Sequence, residues 1–191
     1  MSGFDALASF PVQGEPALVE VAPALDWGWR ALHHHDLPWL AALYASTREE
    51  ELAAVPWPAA SRQQFLRQQF DAQHRHYLAA YPGAHYLAIE QAGQPVGRLY
   101  LDRCGVDDLI VDISLLPHCR GAGLGSAVIG QLQAAAAARQ RGLALHVARC
   151  NPAARRLYQR LGFIAAPADL AQMHVPMRWG AGLTAERSAL S

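Results

Sequence analysis

The sequence predicts an α/β domain with a mixed sheet. Three observations carry that expectation. The element order reads strand, two helices, several strands, then strand–helix–strand–helix–strand. A glycine-rich turn joins a strand to a helix at residues 116–126. Of the 191 residues, 52% are hydrophobic and only 17% are charged, so a sizeable core can be buried.

Taken in order, residues 1–26 are rich in Ala, Pro and small side chains without a period. They are expected to form a mobile tail. A first strand is expected at 27–34. Asp36-Leu37-Pro38 then starts a helix, with Asp as N-cap and Pro in the first turn, running to about residue 46. A loop at 47–58 contains Val55-Pro56-Trp57-Pro58, where two prolines forbid a helix. A second helix is expected at 61–78, with Phe65, Phe70 and Tyr77 as buried candidates, and Tyr81-Pro82-Gly83 ends it. Segments 85–90 and 96–104 read as a hairpin around Gln91-Ala92-Gly93-Gln94. The next strand, 109–116, is apolar on both faces except at Asp112 and Ser114. Leu124, Val128, Ile129, Leu132 and Ala136 recur at helical spacing, and Arg141-Gly142 closes that helix. A strand at 143–149 follows. Asn151-Pro152 caps and opens a further helix with Ala154, Leu157, Tyr158 and Leu161 on one face. Gly162 ends it, and short strands follow at 163–165 and 173–179. A single domain is thus expected over 27–179, with a second loose tail at 180–191.

Composition excludes several activities. Sixteen basic and sixteen acidic residues cancel, so no global field attracts nucleic acid or an anionic membrane. All sixteen basic residues are Arg. Without Lys there is no Walker P-loop and no Schiff-base lysine chemistry. Cys104, Cys119 and Cys150 form no CxxC, so neither a disulfide framework nor a zinc knuckle is supported. The start Met1-Ser2-Gly3-Phe4-Asp5 lacks a secretory pattern, and no apolar run reaches the roughly 20 residues of a membrane span. A soluble, cytoplasmic protein is expected.

The turn Leu116-Pro117-His118-Cys119-Arg120-Gly121-Ala122-Gly123-Leu124-Gly125-Ser126 carries the chemistry. A helix starting near Leu124 leaves backbone N–H groups unpaired at its N-terminus. Gly121, Gly123 and Gly125 let an anion approach them closely, the helix dipole adds attraction, and Arg120 can add a charge-assisted bond. A glycine turn without a ligand is the plain alternative. A dinucleotide fingerprint fails, because its third Gly would fall on Ser126 and no acidic residue lies at the next strand's end.

Arg120-x-x-Gly123-x-Gly125 after a strand resembles the pyrophosphate loop of the GNAT family of N-acetyltransferases. Asn151-x-x-Ala154-x-x-Leu157-Tyr158-x-x-x-Gly162-Phe163 is similar to that family's following helix, in matching order and spacing. The chain's only Asn falls on the motif's Asn. The resemblance implies a mostly antiparallel mixed sheet with a splayed parallel strand pair and helices on both faces. It implies acetyl-CoA as co-substrate, lying between the strands at 109–116 and 143–149. On it, Leu115 would bind the acetyl carbonyl through its N–H, an oxyanion-type donor. The segment Gly121 to Ser126, with Arg120, would hold the pyrophosphate. Asn151 would hydrogen-bond the cofactor arm while capping its helix.

Tyr158 corresponds to the family's acid, which protonates the departing thiolate. Packing alone explains its burial but not its hydroxyl. The attacking amine must also lose a proton. Strand alternation puts His146 between Ala144 and Ala148, with room beside the imidazole, where some relatives carry Glu. His146 is therefore the candidate base. A buried structural His, Asp112 as rival base, and water-assisted attack stay open. The implied activity is transfer of acetyl to a primary amine, either a small molecule or a peptide N-terminus. A non-catalytic acetyl-CoA or CoA sensor of the same fold is the alternative. Dimers are common in the family, so a homodimer is compatible with the resemblance.

Other features are discounted. Of His33-His34-His35, only His33 and His35 share a strand face, and no metal site is expected. His74 and His76 do not converge on a helix. Ala134 to Ala138 is helix propensity. Cys150 reads as a packed thiol. Trp57, Tyr77, Tyr81 and His85 are either acceptor-pocket lining or ordinary core and surface.

Overall fold

The computed structural model describes residues 4, 6–11, 26–167 and 171–180. Seven strands form one sheet: β1 (Trp27–Ala31), β2 (His85–Gln91), β3 (Gln94–Asp102), β4 (Asp108–Leu115), β5 (Leu143–Ala148), β6 (Ile164–Ala165) and β7 (His174–Trp179). Their spatial order is β1-β2-β3-β4-β5-β7-β6. Every neighbouring pair is antiparallel except β4 and β5. That parallel pair is short, matching only Asp108–Ile110 with Leu143–Leu145. Val111 of β4 is an extra, bulged residue opposite the Tyr100–Leu101 step, and the pairing of β4 with β5 ends just before it, at Ile110.

Period-two alternation sends side chains to two cores. On one face, Leu87, Ile89, Leu99, Leu101, Leu143, Leu145 and Val147 pack under α3 (Leu124–Ala138) and α4 (Pro152–Arg160). The α3 face of Leu124, Val128, Ile129, Leu132 and Ala136 is buried as its spacing predicts. On the other face, Tyr86, Ala88 and Tyr100 pack under α1 (Leu37–Ala53) and α2 (Ala59–Ala80).

Several boundaries differ from the sequence expectation, each for a local reason. Helix α1 continues past residue 46 to Ala53, because nothing before Pro56 breaks it and Arg48 pairs with Glu51 one turn on at 2.9 Å. Helix α2 starts directly after Pro58, whose extended backbone (ψ 145°) caps it. The first strand stops at Ala31, and His34–Asp36 forms a 3-10 turn. Asp36 precedes α1 but does not cap it. Its carboxylate accepts both Arg30 Nη groups and the His33 N–H, each at 2.8 Å. Helix α3 ends at Ala138 through Gln140, at φ 56°. Gly142 serves packing instead: a Cβ there would come within 2.6 Å of Asp107 Oδ1.

Within the segment expected as an N-terminal tail, Leu7 and Phe10 are 6% and 7% exposed and belong to the α1/α2 core. The Ala8 carbonyl accepts the Nε2–H of buried His74 at 2.8 Å, and Phe10 meets the same ring edge-on at 5.0 Å. The rest of that expectation, and the tail expected beyond residue 180, lie outside the described residues.

Candidate active site

The site is built where β4 and β5 part. The Leu116 N–H donates to the Val96 carbonyl at 2.9 Å, and Leu115 faces Gly97. In an antiparallel ladder this makes Leu115 a non-hydrogen-bonded partner, so its own N–H points away from β3, towards the gap. By the same alternation Ile113 does likewise. Beyond Ile110 no β5 backbone meets them, leaving a strand edge that faces a cleft.

The loop beyond β4 is a 3-10 turn (Pro117–Cys119) followed by the glycine segment. Gly121 and Gly123 hold φ of 78° and 91°, left-handed values that L side chains adopt with strain. Gly123 is the residue before α3, no side chain caps the helix there, and the first helical bond runs from the Ala127 N–H to the Gly123 carbonyl at 3.0 Å. The N–H groups of Leu124, Gly125 and Ser126 are thus left at an uncapped helix start, the positive end of the dipole. The Leu124 side chain is itself buried, at 8% exposure, so only its backbone can face a ligand. A Cβ on Gly125 would sit in ordinary contact with Leu115 at 3.6 Å, so loop and strand end are adjacent. Exposed Arg120 donates its Nε–H to the Leu115 carbonyl at 2.8 Å, leaving its Nη groups unpartnered among the described residues.

Asn151 caps α4: its Oδ1 accepts the Ala154 N–H at 3.0 Å. Its side-chain NH₂ has no partner among the described residues. Tyr158 is 9% exposed and packs against Phe163 at 5.8 Å between ring centroids. Its hydroxyl makes no hydrogen bond among the described residues. Burial, and then the Asp112 carboxylate, push its pKa up to about 12, which keeps the phenol protonated.

His146 is exposed, on the β5 face opposite Leu145 and Val147. No hydrogen bond holds it among the described residues, so it is not a buried structural histidine. Nothing there joins it directly to Tyr158 or Asp112.

Asp112 sits at the bulge and is nearly saturated. Arg98 donates Nε–H to Oδ1 at 3.1 Å and Nη2–H to Oδ2 at 2.9 Å. The Ser114 hydroxyl donates to Oδ1 at 2.9 Å, and the Tyr77 hydroxyl to Oδ2 at 3.2 Å. Arg98 is 3% exposed and also bonds Gln73 at 2.7 Å, linking α2 to the sheet. Burial opposes its charge, but Asp112 holds its pKa above the ordinary guanidinium value. Burial, reinforced by Asp112, raises the Tyr77 hydroxyl. Sequence reasoning noticed Asp112 and Tyr77 but missed Arg98 and Gln73. The available signal was an arginine between Gly97 and Leu99, opposite Ser114 and diagonal to Asp112 on the partner strand.

Among the described residues no group of three His, Cys, Asp or Glu is placed to hold a metal ion. His33 and His35 stack at 5.3 Å beside the 3-10 turn. No helix among the described residues is long and apolar enough to cross a membrane.

A split sheet, a strand edge facing the split, and an uncapped glycine-led helix beside it define a class of ligand-cradling α/β domains. The chain belongs to the GNAT acetyltransferase family, whose profile matches residues 27–163. Solved structures share the fold at low identity. A PaiA N-acetyltransferase from Thermoplasma acidophilum, in complex with coenzyme A, aligns with TM-score 0.61 at 14% identity, over 82% of this chain and all of its own. An acetyltransferase from Thermus thermophilus gives TM-score 0.61 at 20% identity, over 81% of this chain and 96% of its own. A spermidine N-acetyltransferase SpeG chimera from Vibrio cholerae and hSSAT gives 0.56 at 20% identity, over 81% and 95%. No curated protein sequence matches the chain significantly.

Proposed function

We propose that the protein is an N-acetyltransferase using acetyl-CoA, with a primary amine as acceptor. The observation that carries this reading is the gap-facing backbone of Ile113 and Leu115 beside the uncapped N-terminus of α3. An extended amide-bearing arm can pair with the first, and a pyrophosphate can accept from the second. Family membership and the coenzyme A complex of a structural neighbour support the same cofactor.

In this reading the N–H groups of Leu124, Gly125 and Ser126, the left-handed backbone at Gly121 and Gly123, and the Arg120 guanidinium receive the pyrophosphate. The Asn151 amide NH₂ contacts the arm. The Leu115 N–H polarises the acetyl carbonyl. The amine attacks the thioester directly, its proton passes towards His146, and Tyr158 protonates the departing thiolate. A phenol held protonated fits the acid role. Asp112, already engaged by Arg98, Ser114 and Tyr77, fits the base role poorly.

Thermal denaturation with and without acetyl-CoA tests the cofactor. Stabilisation that grows with concentration is expected, and no response would overturn the reading. Thiol release in an amine screen then separates an enzyme from a CoA-binding sensor.

A further inference from the structure

We propose that the protein also takes acetyl from a small acidic carrier protein, whose 4′-phosphopantetheine arm enters the gap while its acidic surface docks on the arginines of α4. The inference rests on the acetyltransfer reading above and widens its donor class beyond acetyl-CoA. The amine attacks the carrier-bound thioester. The carbon–nitrogen bond forms as the carbon–sulfur bond breaks; the amine's proton passes to His146, the thiolate takes a proton from Tyr158, and the carrier leaves as its free thiol.

The zero net charge conceals a division. Residues 1–112 carry seven Arg against fourteen Asp and Glu, whereas residues 113–167 carry seven Arg and no Asp or Glu. The second stretch holds the glycine loop, α3, β5 and α4. Its Arg139 and Arg141 pair with Asp108 at the closed end of the β4–β5 pair. Arg155, Arg156 and Arg160 of α4 are exposed, and none makes a hydrogen bond or ion pair among the described residues. Helical spacing sets Arg156 and Arg160 one turn apart, where like charges repel. Arg155 and Arg156 also lie in the N-terminal half of α4, where the dipole disfavours cations, and its first turn holds no acidic residue to relieve them. Folding gains nothing from these charges; an anionic partner supplies what they lack.

This face adjoins the phosphate end of the gap. A Cβ on Gly125, at the start of α3, would lie 3.9 Å from Leu157 Cδ2 of α4, so the pyrophosphate cradle and the α4 surface are neighbours. On the other side the Arg149 N–H donates to the Met173 carbonyl at 3.0 Å, which sets Met173 beside the residues leading into α4. Met173 is 80% exposed. Beyond its pyrophosphate coenzyme A carries one further phosphate, too little charge for three unneutralised guanidiniums and with no use for an exposed apolar side chain. Met and Arg together are instead the composition of a protein-docking surface. A macromolecule seated here meets the phosphate end of the arm, so it delivers the donor. The gap-facing amides at 113 and 115 meet only the arm and thioester, which coenzyme A and a carrier protein share.

The test uses the full chain with a bacterial acyl carrier protein, holo or acetyl-loaded. Fluorescence anisotropy of labelled carrier reads binding, and mass spectrometry of the acetylated amine reads transfer from acetyl-carrier, acetyl-CoA or acetyl-3′-dephospho-CoA. The expected result is saturable carrier binding that weakens at least about tenfold from roughly 50 to 300 mM salt, and transfer from acetyl-carrier to an amine that acetyl-CoA also serves. The triple variant Arg155→Gln, Arg156→Gln, Arg160→Gln should lose about tenfold or more in kcat/KM with acetyl-carrier, and its Glu counterpart more. Both should melt close to the parent, and the Gln triple should keep kcat/KM for acetyl-CoA within about threefold. Absence of carrier binding, transfer from acetyl-CoA alone, or carrier use unchanged in both triples overturns this inference and leaves the acetyltransfer reading standing. So does a loss confined to acetyl-CoA and absent with acetyl-3′-dephospho-CoA, which would assign the α4 arginines to the 3′-phosphate. Equally tight binding of a short RNA duplex would mark a general polyanion surface and overturns it too. No transfer from any donor to any amine, despite acetyl-CoA binding, overturns both readings.

Discussion

At the scale of single residues, the proposed acid, Tyr158, and the buried pair Arg98–Asp112 are separate groups. Tyr158 is held protonated by burial and by the nearby Asp112 carboxylate. Tyr158→Phe keeps the ring packing against Phe163 and removes only the proton. Its kcat is expected to fall about 10²–10⁴-fold, with the KM for acetyl-CoA nearly unchanged, in steady-state assays. Full turnover in that variant would remove the acid role. His74 makes a second prediction. Burial is the main cause that lowers its pKa below 6.5, and Arg98 adds to it against the opposing Ala8 hydrogen bond. The unfolded chain therefore binds a proton more readily than the folded one between the lowered value and 6.5. Stability should fall as pH drops from about 6.5 through that window and level off below it. Urea titrations should show a shallower acid loss in His74→Gln than in the parent.

Elements are held by a few polar ties across apolar faces. Arg98 on β3 joins Asp112 on β4 to Gln73 on α2. Arg98→Met leaves the Asp112 carboxylate half-buried without its cation, and a loss of about 3–5 kcal/mol is expected by chemical denaturation. A near-neutral result would show that Asp112 relaxes towards water. At α4, Asn151→Ala removes the cap of the Ala154 N–H and should cost about 1 kcal/mol by the same measurement. In the acetyltransfer reading the KM for acetyl-CoA also rises. The elements most legible in the sequence were those with strong periodicity and their own punctuation. Helix α3 showed its buried face residue by residue, and α4 its Asn-Pro start. The end of α1 lies beyond the expected residue 46, because the prolines at 56 and 58 stop a helix only at their own positions and the charged helix formers before them continue it. The Asp36 cap was misread because a distant arginine, Arg30, competes for the same oxygens.

Across the whole molecule, the glycine loop, Asn151 and Tyr158 could be recognised from local spacing, whereas the Asp112 clamp could not. Its partners come from α2, β3 and β4, and only the sheet register brings them together. The buried Leu7 and Phe10 escaped notice for a similar reason: two apolar residues in a Pro-rich stretch have no period to read. A further whole-molecule effect follows from the sheet itself. Strands β1 to β4 and strands β5 to β7 are stitched together by three residue pairs. Amides at 113 and 115 face no strand, so they should exchange with deuterium faster than their neighbours at 114 and 116. Saturating acetyl-CoA should slow them selectively; uniform protection of the sheet in its absence would contradict the open edge. In mechanical terms the sheet is two plates on a narrow seam. A ligand laid into the opening supplies the missing rungs, so binding should stiffen the protein most along the line where its own backbone leaves off.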